Sequence, residues 1–224
     1  MVGESTLQML PARIRAGSVI IDGSLVIPHP RPGVVVFAHG SGSNRFSARN
    51  RQVARTLEDA GFATLMLDLL TRDEEAVDQQ TREYRFDVDL LGRRVIAAID
   101  WVSGHADLSG LPQVCFGAST GSAAALIAAA ERPTAVRAVI SRGGRPDLAW
   151  DALPRVQAPT LLIVGGRDDA ILDLNRRAMR HMLAPASLAI VPGATHLFEE
   201  SAALNQVAEL ALGWCRRHLS TVHR

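Results

Sequence analysis

The stretch "VCFGASTGSAAALIAAA", residues 114–130, passes from an apolar run through Gly117 to Ser119, then through Gly121 into an alanine-rich tract. A short apolar run fits a buried strand, and a tract dominated by alanine favours helix. Ser119 then stands on a strand-to-helix turn inside a Gly-x-Ser-x-Gly. Glycines at such a turn let neighbouring backbone pass close, so the serine can be held in a strained conformation that presents its hydroxyl above the sheet. The free N–H groups and positive dipole end of the following helix point at the same spot. Ser119 is therefore a candidate nucleophile. The competing assignment is an N-cap for the helix over 120–131, a place that serine also favours.

The same alternation runs outward in both directions. "SVIIDGSLVIP" (18–28) predicts a hairpin turning at Asp22-Gly23, "GVVVFAHG" (33–40) a buried strand, 46–60 a helix, and "FATLMLDLL" (62–70) the next strand. "RFDVDLLGRRVIAAIDWV" (85–102) places apolar residues at three- and four-residue steps, the period of an amphipathic helix. After the elbow come strands in "VRAVISRG", "TLLIVGG" and "SLAIVPG", with helices expected over 171–183 and from about 200 to 218. Such alternation predicts an α/β fold: a mostly parallel sheet of about seven to eight strands with helices on both faces. No repeat, low-complexity tract or linker interrupts it, so one domain over 1–224 is expected.

Composition narrows the chemistry. A chain of 224 residues, 47% hydrophobic, is long enough for one sizeable core. Its 24 basic and 23 acidic residues are spread along the whole length, which offers no extended basic face to nucleic acid or membrane. Every basic residue is arginine; without lysine, Schiff-base chemistry, pyridoxal-phosphate anchoring and a lysine-bearing phosphate loop are excluded. Cys115 and Cys215 sit in apolar settings and read as reduced, buried thiols, which suits a cytoplasmic protein. The opening "MVGESTLQMLPARIRAG" lacks the layout of an export signal, and no apolar run approaches the roughly 20 residues needed to span a bilayer. A soluble monomer or homodimer that takes a small-molecule substrate is expected.

In parallel sheets, ligands bind at the carboxyl ends of the strands. Four polar loops follow strands there: "HGSGSNR", "GAST", "GGRDD" and "PGATH". A serine hydroxyl needs a base, normally a histidine oriented by a carboxylate. His196, in the last of these loops, suits that role better than the other histidines. His29 lies in a proline-rich turn, His105 in a helix-terminal loop, His181 inside a helix, and His218 and His223 near the end, while His39 precedes Gly40 where a backbone role is the easier assignment. Asp168 is the expected carboxylate. Its neighbour Asp169 would point nearly the opposite way on extended chain, and Asp173 falls in the following helix. Donors for an oxyanion would come from the N–H of Thr120 and, in the glycine-flanked loop, the N–H of Ser41. The histidines show no paired ligand spacing, so neither a metal nor a cofactor is expected.

"FAHGSGSNRFSARN", "FGASTG", "VGGRDD" and "VPGATHLFEE", in that order, resemble the α/β-hydrolase fold, and more narrowly its small, lidless dienelactone-hydrolase-like branch, over about residues 13–218. The resemblance implies a triad of Ser119, Asp168 and His196 with an oxyanion hole at Ser41 and Thr120. The enzyme that gives the branch its name uses a cysteine nucleophile. Here the elbow carries serine, and Cys115 lies inside the strand, so the resemblance implies a hydrolase of small carboxylic esters. The same residues also serve acyltransferases, thioesterases, lactonases and peptidases, or a binding protein on the same fold. No insertion follows "VRAVISRG", so no cap domain is expected and the site should be open. Phe46, Tyr84, Arg142, Trp150, Leu197 and Phe198 are candidate walls, and the polar stretch 71–86 is long enough to overhang the rim. Arg45, Arg142 and Arg145 either meet an acidic acyl group or pair with carboxylates.

Overall fold

Strands such as Val34–Ala38 and Ala63–Leu67 are buried at every residue, which is what helices on both faces of a sheet require. In the computed structural model, which describes residues 7–200 and 202–219, eight strands form one sheet. They are β1 (Met9–Ala16), β2 (Val19–Val26), β3 (Val34–Ala38), β4 (Ala63–Leu67), β5 (Gln113–Ala118), β6 (Val136–Arg142), β7 (Thr160–Gly165) and β8 (Ala186–Val191). Their spatial order is β1-β2-β4-β3-β5-β6-β7-β8. From β4 to β8 all pairings are parallel, while β2 runs antiparallel to both β1 and β4. The helices are α1 (Ala48–Asp59), α2 (Arg72–Thr81), α3 (Val88–Gly104), α4 (Thr120–Glu131), α5 (Asp169–His181) and α6 (Ala203–Leu219). This is the α/β-hydrolase fold.

Alternate residues along β3 enter two cores. Val34 and Val36 pack with α3 and α4 through Leu91, Val95 and the alanines of α4. Val35 and Phe37 pack on the other face with α1 and α6 through Val53, Leu57, Val207 and Trp214. Cys115 and Cys215 are free, one in each core, and burial pushes both thiols up to about 12. None of the described helices is long and apolar enough to cross a membrane.

Two local expectations differ from the structure. The hairpin turns at Gly17-Ser18, where Gly17 has φ +69°, and not at Asp22-Gly23. Asp22 and Gly23 lie within β2 opposite Arg13 and Ala12, and β1 occupies part of the opening segment; the first six residues of that segment and His223 lie outside the described residues. Gly23 serves strand packing, because an added Cβ would stand 3.2 Å from both a Leu65 methyl and the Met66 carbonyl. The polar stretch after β4 contains a helix, α2. Thr71 starts it with a capping box: its hydroxyl accepts the Glu74 N–H while the Glu74 carboxylate accepts the Thr71 N–H. After β6, where a cap domain would be inserted, the chain makes only a 3-10 segment, Pro146–Arg155.

Glu74 does a second job. Its other oxygen accepts from an Arg94 Nη at 2.5 Å, and the second Arg94 Nη donates to the Ala16 carbonyl at 2.9 Å. Arg94 is buried at 5% exposure, so α2, α3 and the β1–β2 hairpin share one desolvated guanidinium. Replacing Glu74→Ala removes the acceptor of the Thr71 N–H and leaves that cation short of its counter-charge. Urea unfolding is expected to show a loss of about 2 kcal/mol or more.

Candidate active site

The elbow is built by close backbone approach. A Cβ at Gly117 would sit 2.4 Å from Ser122 Cα, and one at Gly121 would sit 2.4 Å from the carbonyl oxygens of Ala38 and His39. Only glycine lets the first turn of α4 press against β5 and the end of β3 in this way. Between them Ser119 adopts φ +50°, ψ −121°, a strained conformation for a residue with a side chain. Its hydroxyl makes no capping bond to α4, so the N-cap role the sequence allowed is not taken up.

The strain is held by a hydrogen-bond set that sequence reasoning did not find. The Ser119 N–H donates to the Arg142 carbonyl at 3.1 Å. The Ser119 carbonyl accepts from the Arg145 N–H at 3.1 Å and from the Ser122 hydroxyl at 2.7 Å. Ser122 in turn accepts from the Arg145 N–H at 2.9 Å and is fully buried. A serine within an otherwise alanine-rich buried helix was the available signal. Asn175 of α5, also fully buried, steadies the same loop by donating to the Gly144 carbonyl at 3.0 Å.

At the ends of β7 and β8 the structure brings Asp168 and His196 together, with Nδ1 of His196 2.7 Å from Oδ2 of Asp168. Asp168 is the N-cap of α5 by position, yet its side chain makes no cap bond and is free for the imidazole. Asp169, the first residue of α5, is exposed, and Asp173 pairs with Arg176 at 3.3 Å on the outer face. With Nδ1–H donated to Asp168, Nε2 of His196 is the basic nitrogen. The His196 ring lies next to the β6 end, since a Cβ at Gly143 would be 3.5 Å from its Cε1.

The loop after β3 lies directly against Ser119: a Cβ at Gly40 would be 3.0 Å from Ser119 Cβ. Ser41 is exposed in a turn closed by the Ser43 N–H donating to the Gly40 carbonyl at 3.2 Å, with Gly42 at φ +68°. Thr120 is the first residue of α4, so its N–H has no partner within the helix. The side chain of His39, assigned only a backbone role from sequence, braces this loop. Its Nδ1–H donates to the Gly40 carbonyl at 2.8 Å and its Nε2 accepts the Leu69 N–H at 3.0 Å. A second brace is Asp68, which accepts the Arg45 N–H at 2.7 Å and pairs with the Arg45 guanidinium.

A cavity of about 240 Å³ opens beside this loop, lined by Gly40, Ser41 and Thr120 on one side and by Glu75 and Gln79 of α2 on the other. None of the six expected wall residues lines it. Phe46 is exposed beneath the Arg45 guanidinium, and Tyr84 is half-buried in the α2–α3 connection. Trp150 stacks on His181 at 4.2 Å, Leu197 faces solvent, and Phe198 is a core residue. Arg142 is buried with a bond to Asn50 at 3.2 Å and its Nε unpartnered, and burial together with nearby Arg49 holds its pKa down at about 10. Of the other arginines considered, Arg45 pairs with Asp68 and Arg145 makes a two-pronged pair with Asp147.

Two outcomes follow from these braces. Ser122→Ala removes one of the two acceptors of the Arg145 N–H and a donor from the Ser119 carbonyl, so a loss of about 1 to 2 kcal/mol is expected in denaturant titration. His39 is held below its ordinary 6.5, chiefly by burial. As pH falls through that value the unfolded chain takes up this proton before the folded one, so the folded state loses stability on acidification and gains none above it. Thermal melts should show Tm falling below about pH 6.5, with a shallower fall in His39→Gln.

The geometry has close counterparts. A crystal structure of dienelactone hydrolase from Anabaena variabilis superposes with TM-score 0.93 at 51% identity, covering 95% of this chain and 98% of that one. Est1E from Butyrivibrio proteoclasticus shares the fold at TM-score 0.79 and 16% identity, over 94% of this chain and 99% of its own. A Mycobacterium tuberculosis protein named putative phosphoribosyl transferase is 54% identical over 207 residues, which is 92% of this chain and 46% of that protein. The chain thus spans about half the length of the curated relatives it matches. The profile described as the dienelactone hydrolase family matches residues 21–218, and the chain belongs to that family.

Proposed function

We propose that the protein hydrolyses small carboxylic esters through an acyl-enzyme on Ser119, with His196 as base and Asp168 orienting it. The observation that carries this reading is a serine held at φ +50° at a helix start together with the one imidazole–carboxylate pair at the strand ends among the described residues, His196 with Asp168, 2.7 Å apart. Ser119 Oγ attacks the ester carbonyl while Nε2 of His196 takes its proton. The carbonyl oxygen, now an anion, accepts from the N–H groups of Ser41 and Thr120. Collapse expels the alcohol, which receives the proton from His196. A water then gives its proton to His196, attacks the acyl group and releases the acid, restoring Ser119. Asp168 keeps the imidazole in the tautomer with Nδ1 protonated and stabilises its charged form. No step needs a metal or cofactor.

Support for ester chemistry over the transfer named for the mycobacterial relatives comes from the site itself. A serine held in a strained conformation at a helix start and an imidazole oriented by a carboxylate suit acyl transfer. The relatives' name describes proteins about twice as long as the segment matched, which fills 46% of them.

A fluorophosphonate probe followed by intact-mass analysis tests the reading, with p-nitrophenyl acetate and butyrate turnover alongside. One adduct is expected, absent in Ser119→Ala. Asp168→Asn should lower turnover by about 10³-fold or more, and Asp169→Asn should stay near the parent value. A folded protein that takes no adduct and cleaves no ester would be a ligand-binding protein on this fold.

A further inference from the structure

Three carboxylates line the cavity beside Gly40, Ser41 and Thr120: Asp68, Glu75 and Asp78. Two of them are neutralised within the protein. Asp68 pairs with the Arg45 guanidinium. Asp78, buried, accepts the backbone N–H groups of Tyr84 and Arg85 at 2.9 Å each and Nε of Arg85 at 2.6 Å. That contact also engages Arg85, the one cationic side chain of the lining. The third carboxylate, Glu75, has no hydrogen bond or ion pair to its side chain among the described residues. Arg142, the unpaired cation near Ser119, does not line this cavity. Two acid–base pairs cancel and one carboxylate remains.

A second observation points to a ligand in the same place. Thr120 is 3% exposed and lines the cavity, yet its Oγ1 has no hydrogen-bond partner. A buried hydroxyl left unsatisfied at a cavity wall is costly unless something polar completes it. The cavity therefore has a buried, unsatisfied hydroxyl in the residue at its Thr120 end and a free negative charge at the α2 end, between protein walls that strengthen the field of that charge.

Resting on the ester-hydrolase reading, we infer that this cavity receives an ammonium- or guanidinium-bearing part of the substrate, and that Glu75 is the specificity residue that ranks cationic esters above neutral ones and neutral above anionic. A carboxylate in the acyl or alcohol part would be brought against Glu75 without a free cation in the lining to meet it.

Two matched ester series test this. One varies the acyl group, as p-nitrophenyl esters of trimethylammoniobutyrate, its carbon isostere and monoglutarate. The other varies the alcohol, as acetylcholine, its carbon isostere dimethylbutyl acetate, and acetylated hydroxypropanoate. In at least one series kcat/KM should follow cation, neutral, anion, with steps of about three- to tenfold that shrink as salt is raised. Glu75→Gln should bring the cation-to-neutral ratio close to one, and Asp73→Asn, in the same helix but outside the cavity, should keep the parent ratio. Neutral esters cleaved with a flat or reversed order in both series overturn the inference and spare the hydrolase reading. So does a Glu75→Gln protein that keeps the parent ratio. A parent protein that cleaves none of the esters and takes no fluorophosphonate overturns both.

Discussion

The elbow depends on backbone packed against backbone. With 2.4 Å between a notional Cβ at Gly121 and two carbonyl oxygens at the end of β3, the start of α4 and the loop after β3 cannot be separated by even one carbon atom. That closeness fixes the distance from Ser119 to Gly40 and hence to the turn at Ser41. The strained serine, at a cost of roughly 1 to 3 kcal/mol, persists because its two peptide groups are tied to the β6 end through Arg142, Arg145 and Ser122. Ser119 is thus positioned by glycines and by bonds to its own peptide groups, whereas the imidazole–carboxylate pair relies on side chain meeting side chain.

Much of this was readable in the sequence, and the reasons for the rest are particular. β3 to β8 declared themselves as short apolar runs, whereas Asp168 and Asp169 are set apart by the start of α5, with Asp168 at its N-cap and Asp169 its first residue, and not by the alternation of extended chain on which the sequence reading rested. Asp22-Gly23 misled because an Asp-Gly pair suits a tight turn, while here the glycine admits Leu65 and Met66 of β4 against β2. The true turn has one glycine, Gly17, followed by serine, a weaker signal. Helix α2 was invisible to a search for apolar periodicity because Val77 is exposed and the helix buries chiefly Asp78. Its legible mark was the Thr71–Glu74 capping box.

The cavity wall lies where the sequence was least informative. Aromatic and arginine residues drew attention as walls, but aromatic mass at these strand ends fills core or stacks on the surface, as Phe198 and Trp150 do. One side of the lining instead comes from α2, a helix with too little apolar surface to be noticed. Its hold on the body runs through Glu74 to Arg94 and through Asp78 to Arg85. The polar character that hid the helix also gives the cavity its character.

The sheet's two margins show how the fold keeps to itself. β1, the outermost strand on one side, begins with Pro11 near its start and carries Arg13 and Arg15 on its exposed positions. β8, on the other, is six residues long and is bracketed by Pro185 and Pro192. A proline interrupts the row of amide donors and charge resists a dry interface, so neither margin offers a long, unbroken template to an incoming strand. A sheet this apolar within is thereby guarded, at both of its open borders, against growing by the addition of another chain.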